Sequence, residues 1–132
     1  MRKFELFDYD DLLNLHKALM EAKFHDNPDN EYVAGSPIIA KIMNEIVDVL
    51  TDIDPHANKE DWERWRKLEN NICYENGIYS KTLVKVSQDK LWEEYNYEEK
   101  IVATKNYFSP FIVTDKEIDE FINAVDIKKN SY

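Results

Sequence analysis

Cysteine, glycine, proline and basic charge are all scarce in this chain of 132 residues, and each scarcity excludes something. One cysteine, Cys73, leaves no partner for an internal disulfide and too few thiols for a zinc–thiolate site. With no His near it in sequence to serve as a base, it reads as a buried structural thiol. Two glycines, Gly35 and Gly77, cannot build a glycine-rich phosphate loop, and no G-x-x-x-x-G-K-[ST], G-x-G-x-x-G or G-x-S-x-G pattern occurs. Glycine and proline together make 6 of 132 residues, so tight turns are few and helices are favoured over a hairpin-rich sheet. Wholly apolar runs stop after a few residues, too short for a transmembrane helix. The opening Met1-Arg2-Lys3-Phe4-Glu5-Leu6-Phe7-Asp8 turns acidic where a signal peptide would be apolar, so a cytoplasmic location is expected.

Acidic charge is abundant. There are 27 Asp and Glu against 17 Lys and Arg, a formal charge of −10. This balance argues against direct binding of nucleic acid or docking on anionic membranes. A hydrophobic content of 43% is still enough for a folded core, so the chain is not an acidic disordered tail. The length fits one domain over residues 1–132.

The expected fold is mainly α, a bundle of four to five helices. The first helix starts near Asp8 or Asp10 and carries Leu12, Leu15, Leu19 and Ala22 at helical spacing, ending before the polar loop around Pro28. Ser36 and Pro37 then give a clear start to a second helix, with a broad apolar face from Ile38 to Leu50 and a stop at Asp54-Pro55. Asn58 caps a third, with Trp62, Trp65, Leu68 and Ile72 on one side and Asn76-Gly77 as a left-handed terminator. Thr82, Val84 and Val86 alternate with Lys81, Leu83 and Lys85, which reads as a strand, and Lys100–Thr104 and Phe111–Val113 are β-branched. The 79–113 region therefore offers a small sheet, making the fold α+β, with a helix over 80–96 as its rival. Asp89–Tyr95 reads as helix. Thr114 and Glu117 form a capping box for the last helix, whose buried stripe is Ile118, Phe121, Ile122 and Val125, followed by a solvated tail from Lys128.

The charge is unevenly placed. Residues 1–63 hold 15 acidic and 6 basic side chains, a net of −9, whereas residues 64–132 hold 12 and 11, a net of −1. Such an excess either solvates helix ends or forms a face complementary to a basic partner. Tyrosines interleave with it, and exposed tyrosines are good interface anchors. The sequence therefore leads to a non-catalytic acidic inhibitor of a basic protein, such as a nuclease or a nucleic-acid-binding effector. Toxin-immunity proteins and phage antagonists of host enzymes share this size and charge. The candidate contacts are Asp26, Asp29, Glu31, Tyr32, Asp52, Asp54, Glu60 and Asp61, with no cofactor required.

Two other readings use different residues. Glu45 and Asp48 lie at i and i+3, a spacing that places two carboxylates on one helix face where magnesium binds. Asn44-Glu45-Ile46-Val47-Asp48 resembles one half of the metal motif of all-α nucleoside-triphosphate pyrophosphohydrolases. That resemblance implies magnesium-dependent hydrolysis, and it also demands an acidic Glu-Glu-x-x-Glu helix upstream, where this chain offers only Glu21. A nucleotide-binding sponge would instead need aromatic stacking beside Arg64 or Arg66.

Overall fold

The computed structural model describes residues 5, 8–27, 30–71 and 77–131. It contains six α-helices: α1 (Tyr9–Lys23), α2 (Pro37–Ile53), α3 (Lys59–Arg66), α4 (Ile78–Ser87), α5 (Tyr97–Phe108) and α6 (Asp115–Asn130). Short 3-10 turns at Leu68–Asn71 and Trp92–Glu94 follow α3 and α4. The fold is mainly α, and no strand forms among the described residues. None of the described helices is long and apolar enough to cross a membrane.

Capping side chains set most of the helix starts. Ser36 Oγ accepts from the Ile39 N–H, with Pro37 filling the first helical position, where a missing donor costs nothing. Asn58 with Asp61, Asn96 with Glu99, and Thr114 with Glu117 each form a reciprocal capping box. Gly77 departs from expectation. It precedes α4 with φ −75° and does not end a helix in the left-handed region. Ile72, Cys73 and Asn76 lie outside the described residues.

Of the two readings of this stretch, strand over 79–87 or helix over 80–96, a helix forms but stops at Ser87, and its burial pattern gives the reason. Thr82 and Val86 are buried and Tyr79 and Leu83 are half-buried, at i, i+3, i+4 and i+7, whereas Val84 is 45% exposed. A strand would have placed Thr82, Val84 and Val86 on one face. Helical spacing lets Tyr79, Leu83 and Val86 pack against Phe108, Phe121 and Val125. Lys100–Thr104 likewise belongs to α5, which the Asn96 box begins. Asp89–Tyr95 contributes only a 3-10 turn. Around Phe111–Val113, extended pairing is limited to one bridge, Ile112 with Lys67. The tail is less solvated than expected, because Lys129 Nζ donates to Asp89 O and Glu93 Oε1, each at 2.9 Å.

Two apolar clusters organise the helices. The larger joins Leu68, Val86, Trp92 and Phe108 to Ile118, Phe121, Ile122 and Val125 of α6. The smaller joins Leu12 of α1 to Ile46 and Leu50 of α2, with Leu15, Leu19 and Trp62 packed around it. Trp62 and Trp65 are half-buried, meeting His16 edge-on at 5.7 and 5.3 Å between centroids, and Trp65 continues to Phe111 at 4.9 Å. Of the tyrosines read as interface candidates, Tyr32 and Tyr97 are exposed, whereas Tyr107 is half-buried, its hydroxyl 3.0 Å from Asp89. Gly35 lies against that same tyrosine. A Cβ there would come within 2.8 Å of the Tyr107 ring, so any larger residue would have to push that ring aside.

Candidate protein interface

Two connections frame α2. The α1–α2 connection carries Asp26, Glu31 and Tyr32, and the α2–α3 connection leads from Asp54 to Glu60 and Asp61. Seventeen helical residues separate the two ends, about 25 Å at 1.5 Å per residue. The predicted contacts therefore fall into two groups and do not make one patch. Asp29 lies outside the described residues.

The first group is loosely held. Asp26 is exposed and pairs with Lys81 at 3.3 Å. Glu31 and Tyr32 are exposed in the turn before α2, and the Tyr32 N–H donates to Asn30 Oδ1.

The second group divides by task. Asp54 ends α2, and its carboxylate accepts from the His56 and Ala57 N–H groups at 2.8 and 3.2 Å and from Trp62 Nε1 at 2.8 Å. Desolvation would raise its pKa, but bonds from His56, Trp62, Ala57 and Tyr9 outweigh that and hold the carboxyl below its ordinary value. Asp61 closes the α3 capping box and pairs with Arg64. Both are occupied in building the chain turn. Asp52 and Glu60 are exposed.

Asp52 opens onto a cleft of about 650 Å³ between α2, α3, the turn after α3 and the start of α6. Its carboxylates are Asp48, Asp52, Glu63, Glu69 and Glu117, facing Lys59, Arg66 and Lys67. Arg66 is committed inward. Its guanidinium donates to Asp48 Oδ1 at 2.6 Å, Asn44 Oδ1 at 2.9 Å and Pro110 O at 2.7 Å, tying α2 to the loop before α6. The exposed Ile112 gives the cleft an apolar wall.

Sequence reasoning missed Glu63, Glu69 and Glu117 as members of this group. Two of them come from the half of the chain with nearly balanced charge, and only the tertiary fold brings them beside Asp52. The capping box already marked Glu117, whose Oε1 accepts from the Thr114 N–H at 2.9 Å.

The geometry offers less to the other two readings. Asp48 of the Glu45–Asp48 pair is engaged by Arg66, and among the described residues no group of three or more His, Cys, Asp or Glu is placed to hold a metal ion. A second cleft, of about 660 Å³, includes His16, Lys17, Phe24, Asp26, Trp65 and Lys81. His16 is buried there, its Nδ1 without a hydrogen-bond partner among the described residues, and burial, helped by Lys17, lowers its pKa. Arg64, the other cation of the sponge reading, is exposed beside Asp61. No protein-family model, curated protein or solved structure matches the chain.

Proposed function

We propose that this chain is a non-catalytic acidic binding protein that inhibits a basic partner by covering the surface with which that partner handles nucleic acid. The observation that supports it most is the gathering of Asp52, Glu63 and Glu69 around one open cleft beside Lys59 and Lys67, where Arg66 and Asp48 satisfy each other and Glu117 closes its own capping box. A net charge of −10 steers a basic protein toward the chain from a distance. Close to contact, carboxylates at the cleft rim take the positions that phosphates would occupy on the partner. Bound there, the chain blocks substrate sterically. Toxin-immunity proteins and phage antagonists of host nucleases act in this general manner.

The test is capture from the native host's lysate with tagged wild-type chain and with an Asp52→Lys, Glu63→Lys double variant. The expected result is one basic protein held by wild type at about 0.1 M salt and released at about 1 M, where the screening length falls from about 10 Å to about 3 Å. The double variant should not retain it. Equal retention by both chains, or retention unchanged by salt, would overturn the reading.

A further inference from the structure

The α2 helix carries apolar residues on two sides. One side is core, with Ala40, Met43, Val47 and Leu50 fully buried. The other faces water. Ile38, Ile42, Val49 and Ile53 are 69%, 39%, 43% and 41% exposed. Their spacing of i, i+4, i+11 and i+15 lines them up along the helix. Scattered exposed aliphatics need no explanation, but four β-branched side chains aligned along one helix offer a surface on which a partner could pack.

The two flanks of this row differ. On one, Ile46 and Leu50 are covered by Leu12 of α1. On the other, helical spacing sets Glu45, Asp48 and Asp52 with one cation, Lys41, among them, and Asp48 and Asp52 line the acidic cleft, Asp48 already paired with Arg66. The row is thus an apolar strip with an acidic edge.

Resting on the basic-partner reading above, we infer that this face of α2 receives a basic amphipathic helix of the partner. Its apolar side would lie along Ile38, Ile42, Val49 and Ile53, and its Lys or Arg residues would meet Glu45 and Asp52. Helix-to-helix seating suits a strip about 25 Å long whose anchors recur at helical spacing.

Charge selects this occupant over a second copy. An antiparallel pair centred between residues 45 and 46 would match Ile38 with Ile53 and Ile42 with Val49, and would set Lys41 near Asp52 at each end. At its centre, however, Glu45 would meet the Glu45 of the other copy, beside both Asp48 residues. Each copy also brings a charge of −10. A basic helix turns the same central carboxylates from repulsive to attractive.

The test uses the full chain and a fluorescent peptide of about 18 residues, the length that spans the strip, with Leu at heptad core positions and Lys elsewhere. A shuffled peptide of identical composition keeps the charge and loses the apolar face. Anisotropy should show the amphipathic peptide binding about tenfold or more tightly than the shuffled one. Ile42→Ser with Val49→Ser should remove that preference, costing about tenfold, as loss of an interface anchor does. Glu45→Lys should weaken binding of both peptides, whereas Glu98→Lys on α5 should leave the preference intact. Thermal melts of each variant confirm that it is folded. Equal binding of the two peptides overturns the docking face while leaving the basic-partner reading standing. No binding of either peptide at low salt overturns both. A dimer in sedimentation that Ile42→Ser with Val49→Ser dissolves assigns the face to a second copy and overturns the inference.

Discussion

Asp52 and Asp54 stand two residues apart and have different tasks. Asp54 is consumed by the turn it builds, holding two backbone N–H groups and the Trp62 indole. Asp54→Ala should therefore cost about 1–2 kcal/mol in urea unfolding, since it strands those donors. Asp52 is exposed and lines the cleft, so Asp52→Ala should change stability by less than about 0.5 kcal/mol and weaken partner binding instead. Arg66 is the corresponding structural cation. Arg66→Ala should lose about 2 kcal/mol, and Arg66→Lys should recover less than half of it, because an ammonium cannot reproduce the three-way fork to Asp48, Asn44 and Pro110. Lys23 is buried, and among the described residues no carboxylate sits on its nitrogen. Its Nζ donates to Asn106 O and Ser109 O, both at 2.5 Å, at the C-terminal end of α5. Burial, with Lys85 nearby, pushes its pKa down from 10.5 to about 7. Between those values the unfolded chain holds the extra proton, so stability should rise with pH across that window. Lys85, also lowered by burial, adds in the same direction. Burial raises the pKa of Tyr79 and Tyr107, which reverses the trend above about pH 10, where an unfolded tyrosine loses its proton first. Denaturation midpoints measured from pH 7 to 10 should climb, and in Lys23→Met the climb should flatten.

At the scale of elements, the sequence was most legible where a cap met an apolar stripe. The starts of α2, α3 and α6 follow from Ser36-Pro37, Asn58 and Thr114, all of which make the expected bonds. The same logic was available for α5. Asn96 and Glu99 have capping-box spacing, but the β-branched residues of 100–104 drew attention to a strand. The ambiguity at α4 has a different cause. A run such as Thr82-Leu83-Val84-Lys85-Val86 satisfies period two and period 3.6 together, and only the position of Phe108 and Phe121 decides between them. That decision is measurable. Val86→Ala should cost about 2 kcal/mol through the cavity it leaves, whereas Val84→Ala should stay within about 0.5 kcal/mol. Equal costs at the two positions would restore the strand. Gly77 was misread because a glycine before a helix and one after it look alike when the flanking periodicity is weak.

Across the whole molecule, the −9 of residues 1–63 says that a negative surface exists, but not which carboxylates share it. The chain sends Asp26, Glu31 and Tyr32 to one end of α2 and Asp52 and Glu60 to the other, then adds Glu69 and Glu117 from the balanced half. Several acidic side chains that look available in sequence are spent locally, as caps, turn acceptors or partners of Arg66 and Lys81. What is left free is Glu45 and Asp52 on α2 and Glu63 and Glu69 in the cleft beside it, with an apolar strip running alongside. On the proposal made above, this surface silences a basic enzyme or effector acting on nucleic acid. The most direct measurement is to titrate the purified chain into its captured partner and follow the partner's binding or processing of nucleic acid. Activity should fall to zero at a one-to-one ratio and should persist when the Asp52→Lys, Glu63→Lys double variant replaces wild type. Full activity at saturating wild-type chain would contradict the account.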